Sequence, residues 1–201
     1  SKFVPLLLEQ NYPNFEIVLI DDSSSDGTLE FLEQMAKQHS TIKIVKVENT
    51  EAFWGNKKYA LTLGIKAAKY ENLLFTDADC YPNSKNWISE MAAQFNGGKS
   101  IVLGYGAKNK NKTFLNKLIR FETLLSATQY FSWARIGKPY MGVGRNLAYT
   151  KSAFFNVGGF VNHMKIRSGD DDLFVNEASN SKNTSICYSA DSFTFTEPKK
   201  S

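Results

Sequence analysis

Apolar positions along this chain switch repeatedly between two periods. The run Phe15-Glu16-Ile17-Val18-Leu19-Ile20 is short, rich in branched side chains and nearly continuous in apolar character. That pattern predicts a strand buried on both faces. A polar turn, Asp21-Asp22-Ser23-Ser24-Ser25-Asp26-Gly27-Thr28, follows, and Leu29, Leu32, Met35 and Ala36 then recur at helical spacing as far as Gln38. The alternation repeats as a strand over 42–47, an Ala/Leu-rich helix over 57–69, and a strand over 72–76 ending at Asp77-Ala78-Asp79. A helix over 87–95 and a strand over 100–105 complete it. Residues 3–10 read as the end of a helix before the breaker Asn11-Tyr12-Pro13-Asn14. Strands alternating with helices predict an α/β fold with a mainly parallel central sheet covered on both faces. Ligands in such sheets bind beyond the carboxyl ends of the strands. The acidic groups at 21–22 and 77–79 both fall there.

The second half opens with a long helix predicted over 113–134. Phe114, Leu118, Phe121 and Leu125 form one stripe on it, at steps of four, three and four residues. So narrow a stripe predicts ordinary core packing. Residues 123–134 carry no charge and end Tyr130-Phe131-Ser132-Trp133, so the alternative is a helix lying on a membrane or against further segments. Burial of Tyr130, Phe131 and Trp133 would exclude the membrane version. A glycine-rich stretch (137–144), a strand over 146–150 and a short helix to Val157 follow. Gly169-Asp170-Asp171-Asp172 then opens another helix. Without repeats or linkers the chain reads as one domain, 1–201. It has no apolar run long enough to span a bilayer. Its opening, Ser1-Lys2-Phe3-Val4-Pro5, has neither Met nor signal-peptide pattern and reads as cut from a longer chain.

Composition narrows the function. With 201 residues, 42% hydrophobic and 22% charged, the chain has globular proportions. Its 24 basic residues against 20 acidic give a net +4. This permits an anionic small ligand or an acidic lipid surface, and is too weak and dispersed to indicate nucleic acid. Cys80 and Cys187 are far apart and form no CxxC, and His39 and His163 are the only histidines. These numbers argue against a disulfide framework, a cysteine-rich zinc site or a histidine-rich centre. His163 reads as a surface loop residue.

The acidic groups carry the candidate chemistry. Asp77 and Asp79, two residues apart at a strand end, can converge on one hard cation, which can in turn hold a diphosphate. The same pair also arises by chance in turns. Asp21-Asp22 places two like charges side by side, costly unless solvated, paired or used. The serines and aspartate at 23–26 are expected to cap the helix that follows. Asp22, Ser24, Asp26, Gly27 and Glu33 also fit positions 1, 3, 5, 6 and 12 of a calcium EF-hand loop. The strand predicted before Asp22 makes that match coincidental. Asp170-Asp171-Asp172 suits a helix N-terminus and could equally supply a general base. Lys57 and Lys58 open a helix after Trp54-Gly55-Asn56, where a lysine can reach a phosphate. Gly142-Val143-Gly144-Arg145 lacks the full dinucleotide fingerprint, and neither GxxxxGK[ST] nor GxSxG occurs.

Six elements in this order resemble the family 2 glycosyltransferases: Asp21-Asp22-Ser23-Ser24-Ser25-Asp26-Gly27-Thr28; Gly55-Asn56-Lys57-Lys58-Tyr59-Ala60-Leu61; Phe75-Thr76-Asp77-Ala78-Asp79-Cys80-Tyr81-Pro82; Gly144-Arg145-Asn146-Leu147-Ala148-Tyr149; Val157-Gly158-Gly159-Phe160; and Gly169-Asp170-Asp171-Asp172-Leu173. The resemblance implies a GT-A-type, Rossmann-like three-layer sandwich that uses a nucleotide-diphosphate sugar, UDP-sugars being favoured. It implies that Asp22, beside Asp21, accepts from the nucleotide base and that Lys57 or Lys58 lies near the nucleotide. Asp77 would hold the ribose or the metal shell, and Asp79 would coordinate Mn2+ or Mg2+. Asp170 would be the catalytic base by its place three residues before Leu173. The family's Glu-Asp-x-Asp-Leu pattern has Gly169 in place of Glu, which leaves Asp171 as an alternative base.

The implied reaction is inverting transfer to a glycan or glycolipid acceptor at the cytoplasmic face of the membrane. A catalytically inactive nucleotide-sugar-binding scaffold is the alternative. A nucleotidyltransferase would need a Gly-rich N-terminal loop bearing Arg and Lys. Family members begin with a further strand and often end in an Arg-Trp segment with membrane helices. The chain is thus expected to be truncated at both ends, with metal and base sites present and the nucleotide pocket incomplete.

Overall fold

The computed structural model describes residues 2–48, 57–166 and 168–197. The elements follow the expected alternation: α1 (Val4–Leu8), β1 (Ile17–Asp21), α2 (Thr28–Gln38), β2 (Ile42–Lys46), α3 (Lys57–Ala67), β3 (Asn72–Phe75), β4 (Cys80–Pro82), α4 (Trp87–Ala92), β5 (Ile101–Leu103), β6 (Gly106–Lys108), α5 (Phe114–Arg135), β7 (Leu147–Thr150), α6 (Lys151–Asn156), α7 (Asp170–Ala178), β8 (Thr184–Ile186) and β9 (Thr194–Thr196). The strand expected over 100–105 is β5 alone, ending at Leu103, and a further strand, β6, follows Gly104-Tyr105. Strands β4, β6, β8 and β9 are three residues each, too short to leave a periodic signature.

The pairing is mixed. β1 and β2 form a parallel pair. A second sheet runs β3-β7-β5-β8, in which β7 is antiparallel to both neighbours while β5 and β8 are parallel. Thus β3, β5 and β8 share one direction and β7 alone is reversed. β7 leads directly into α6, with Thr150 capping that helix by accepting from the Ala153 amide at 3.0 Å. A small third sheet, β4-β9-β6, stands beside these.

The side chains of β5 and β7 alternate between two cores, as a sheet covered on both faces requires. Ile101, Leu103, Leu147 and Tyr149 pack with Ala127 and Tyr130 of α5, Phe154 of α6, and Phe174 and Val175 of α7. Val102 and Ala148 point the other way, onto Trp87 and Met91 of α4 and Cys187. This is the three-layer sandwich. A separate, smaller core of Val4, Ile17 and Ile42 lies under α1, β1 and β2.

Helix α5 departs from expectation. Phe114, Leu118, Phe121 and Leu125 are all exposed, and the packed face is Asn116, Thr123, Ala127 and Tyr130. Tyr130 is buried, Phe131 is half-buried and Trp133 is exposed. A hydrophobic stripe marks a helix, and here it does not mark the core side. The start of α2 also differs. Its N-cap is Gly27, with no side-chain bond from that position, although Asp26 Oδ1 accepts from the Thr28 amide at 3.2 Å.

Candidate active site

The three acidic groups leave the ends of three different elements. Asp77 and Asp79 follow β3, on a turn closed by the Cys80 amide donating to the Asp77 carbonyl at 3.0 Å. Their carboxylate oxygens and Cys80 Sγ lie within 4.8 Å of one another. Burial pushes the Cys80 thiol up to about 11, so it stays protonated at neutral pH and is held at 3.1 Å from Thr196 Oγ1. The available donors are therefore two hard carboxylates, Asp77 half-buried and Asp79 exposed. That donor set suits Mn2+ or Mg2+ better than a softer, thiolate-seeking ion.

Asp170 and Asp171 open α7. Gly169, the residue before them, sits in the left-handed region with φ +75°, a conformation that disfavours the glutamate of the family pattern. Asp171 is structurally committed. Its Oδ2 accepts from the Gly144 amide at 2.6 Å and its Oδ1 from the Asp172 amide at 3.0 Å. Asp170 instead faces Lys57, whose Nζ lies 3.1 Å from Asp170 Oδ2 and 3.7 Å from Asp77 Oδ1. The carboxylates of Asp77 and Asp170 thus stand within about 7 Å of each other across one ammonium. Burial pulls the Lys57 ammonium down, but Asp170 and Asp77, with Asp171, more than offset this and its pKa is raised. Lys57 is a fixed cation in this cleft.

Lys58, paired with Lys57 in the sequence reading, points elsewhere. It is buried, and its Nζ donates to the carbonyls of Ile166 at 2.6 Å and Ser168 at 2.9 Å. It thereby holds the loop that delivers Gly169 and Asp170. A lysine followed by apolar helix residues leaves no local sign of this, because its acceptors lie more than a hundred residues away. Asn146, to which the sequence assigned no role, is tied to three segments of the chain. Fully buried, it accepts from Trp87 Nε1 at 3.0 Å and donates to the carbonyls of Tyr105 at 2.9 Å and Ser192 at 2.7 Å. His163 pairs with Glu177 at 2.8 Å, away from the acidic cleft residues.

Asp21 and Asp22 stand apart. Asp21 is buried, with Oδ1 lacking a hydrogen-bond partner among the described residues and Oδ2 at 3.4 Å from the Ser24 amide. Asp22 is exposed. Ser23, at φ +57°, turns the chain directly after Asp22. The strand β1 directly before Asp22 excludes an EF-hand. No hydrogen bond or ion pair among the described residues joins this turn to Asp77 or Asp170. Trp54, Gly55 and Asn56 of the second motif lie outside the described residues.

The model of one family, "Glycosyl transferase family 2", matches residues 2–167. The chain belongs to glycosyl transferase family 2. Among relatives of this family 2 domain, glycosyltransferase AglE of Haloferax volcanii is 26% identical over 173 residues, covering 85% of this chain and 54% of AglE. A poly-beta-1,6-N-acetyl-D-glucosamine synthase of Staphylococcus epidermidis is 40% identical over 73 residues, 36% of this chain and 16% of the synthase. The chain thus spans about half of AglE and a smaller share of the synthase. Of solved structures, the mannosyltransferase PcManGT of Pyrobaculum calidifontis, in complex with GDP-Man and Mn2+, aligns over 99% of this chain and 53% of its own. Its TM-score is 0.69 at 18% identity. Staphylococcus aureus TarS 1–349 in complex with UDP-GlcNAc aligns over 100% and 55%, with TM-score 0.70 at 18% identity. These likenesses show the GT-A-type fold. The acidic run from Asp170 lies just beyond the matched residues of the family 2 domain, so its role rests on its geometry.

Proposed function

We propose that this domain is the catalytic part of a metal-dependent, inverting glycosyltransferase that moves a sugar from a nucleotide-diphosphate sugar to a glycan or glycolipid hydroxyl. The observation that carries the proposal is the meeting of Asp77 and Asp170 across Lys57, with Asp79 beside Asp77. Asp77 and Asp79 would hold a Mn2+ or Mg2+ ion, which when bound supplies positive charge against the donor diphosphate. Lys57 adds a fixed positive charge in the same cleft. Asp170 is the base: with Asp171 anchored to the Gly144 amide, Asp170 is the carboxylate of the pair left to face the cleft. It takes the proton of the acceptor hydroxyl as the new C–O bond forms, while the bond from the anomeric carbon to the diphosphate oxygen breaks and its electron pair leaves with the nucleoside diphosphate. A carboxylate so placed is a reason to prefer the enzyme to an inactive scaffold.

Donor choice follows the relatives, of which one is solved with UDP-GlcNAc and another with GDP-Man. A UDP-sugar is our reading, with Asp22 and Asp21 at the nucleotide end. A place at the cytoplasmic membrane face fits a lipid-linked or envelope acceptor. No helix among the described residues is long and apolar enough to cross a membrane.

The test is calorimetric titration of UDP and GDP into the protein carrying this domain, with and without Mn2+, alongside Asp79→Ala and Asp170→Asn. Binding of one nucleotide should require the metal and vanish in Asp79→Ala. Asp170→Asn should keep that binding and lose about 10²–10⁴-fold in transfer rate. Metal-independent binding, or transfer that survives Asp170→Asn, would overturn the respective assignment.

A further inference from the structure

We propose that α5 is a membrane-docking helix that lays its outward face on an anionic lipid surface. The face that packs inward carries Asn116, Thr123 and Tyr130 beside Ala127, and its polar groups are satisfied. Asn116 donates to the Asn109 carbonyl at 3.0 Å and accepts from the Asn111 amide at 2.8 Å. Thr123 donates to the Ile119 carbonyl at 2.8 Å, and the buried Tyr130 hydroxyl to the Gly104 carbonyl at 2.8 Å. The Asn116 and Tyr130 bonds reach outside the helix and pin it about its axis, so it cannot turn its apolar side inward without leaving buried polar groups unpaired. What points outward is apolar: Phe114 is 73% exposed, Leu118 49%, Phe121 65% and Leu125 46%, flanked by Leu115, Ile119 and Leu124 at 65%, 41% and 55%. A contiguous patch of this kind marks a surface that meets something.

Charge identifies the occupant. Residues 108–138 carry seven basic side chains and one acidic, Glu122, a net +6 in a chain whose total is +4. The rest of the molecule is therefore slightly acidic, and the positive charge is gathered around this helix. Lys110, Lys112 and Lys117 are exposed and have no ion-pair partner among the described residues. They sit at or before the first turns of α5, which hold no acidic residue in the opening turn. Cations there oppose the helix dipole, a cost that an anionic surface removes. Arg135 and Lys138 bring positive charge to the other end. A second copy of the chain would set one basic cluster against another in either orientation of two such helices, so self-association is disfavoured. An apolar stripe flanked by lysines is the pattern of a helix that lies in the headgroup layer, with its lysine stems along the apolar surface and their ammoniums on lipid phosphates.

The inference is independent of the transferase reading, since it concerns a different face. The full chain is sedimented with vesicles of phosphatidylcholine alone and of equimolar phosphatidylcholine and phosphatidylglycerol, at low and high salt. Light scattering of the free protein reports its mass. We expect binding to the anionic vesicles about tenfold stronger than to phosphatidylcholine, reduced by salt. Leu118→Asp/Phe121→Asp should lose it with an unchanged melting temperature, because both side chains are already exposed. Lys110→Glu/Lys112→Glu should weaken it while leaving the apolar stripe intact. Three results would overturn the proposal: no vesicle binding by the folded chain, binding that the aspartate pair leaves undiminished, or a dimer that the aspartate pair dissociates, which would make a second copy the occupant.

Discussion

Lys57 and Lys58 are neighbours in sequence and part company in the fold. One places its ammonium between Asp77 and Asp170, the other buries it against the carbonyls that lead to Asp170. Adjacent residues at a helix start point about 100° apart, so one can serve the cleft and the other its support. The three aspartates of α7 divide in the same way. Asp170 faces Lys57, Asp171 ties α7 to Gly144, and Asp172 turns inward with Oδ1 lacking a hydrogen-bond partner among the described residues. Burial, then the charges of Asp171 and Asp170, push the Asp172 carboxyl up to about 6 from an ordinary 3.8. The folded state therefore holds this proton more tightly than the unfolded chain does. The stability linked to it is present below about pH 4 and is lost as pH rises through about 6. Asp172→Asn should accordingly raise the melting temperature by a few degrees at about pH 7.5 and give no gain at about pH 4. Thermal melts at the two pH values check this.

At the scale of elements, the link between β5 and β6 is closely packed. A Cβ added at Gly104 would stand 2.6 Å from the side chain of Asn146 and 2.8 Å from its carbonyl oxygen. Asn146 cannot retreat without breaking its bonds to Trp87, Tyr105 and Ser192. Gly104→Ala should cost about 1–3 kcal/mol, read as a lower urea midpoint with an unchanged slope. Glycine at 104 was legible only as the end of an apolar run, since the group it must admit comes from forty residues downstream. Long elements were legible throughout. The periods of α2, α3, α4 and α5 and the apolar runs of β1, β2, β3 and β5 all place them within a few residues. Strands β4, β6, β8 and β9 were not, because three positions cannot establish a period of two; β5, equally short, showed only because its three residues are all apolar.

The whole molecule has two unequal halves of core. β5 and β7 lie between two apolar clusters, and Ile101, Val102 and Leu103 are fully buried. β1 and β2 rest on a cluster of three buried residues and form a sheet of their own among the described residues. Local opening should follow this difference in packing. In native-state hydrogen exchange the amides of β1 and β2 should exchange at least about tenfold faster than those of β5 and β7. Equal protection across both sheets would mean that the two halves unfold as one unit.

What the sequence determined by itself is the order of the longer elements, the fold class and the turns on which the acidic groups sit. These depend on period, turn chemistry and the tendency of α/β sheets to present strand ends to ligands, all of which act over a few residues. The tertiary structure decided which side of each element faces what. The stripe on α5 has the same period whether it points in or out, and Asn109, Asn111 and Gly104 turned it out by satisfying Asn116 and Tyr130. The choice between Asp170 and Asp171 came likewise from partners distant in the chain, Lys57 and the Gly144 amide, because an aspartate's neighbours in space, and not in sequence, set whether its charge is spent on structure or left to act.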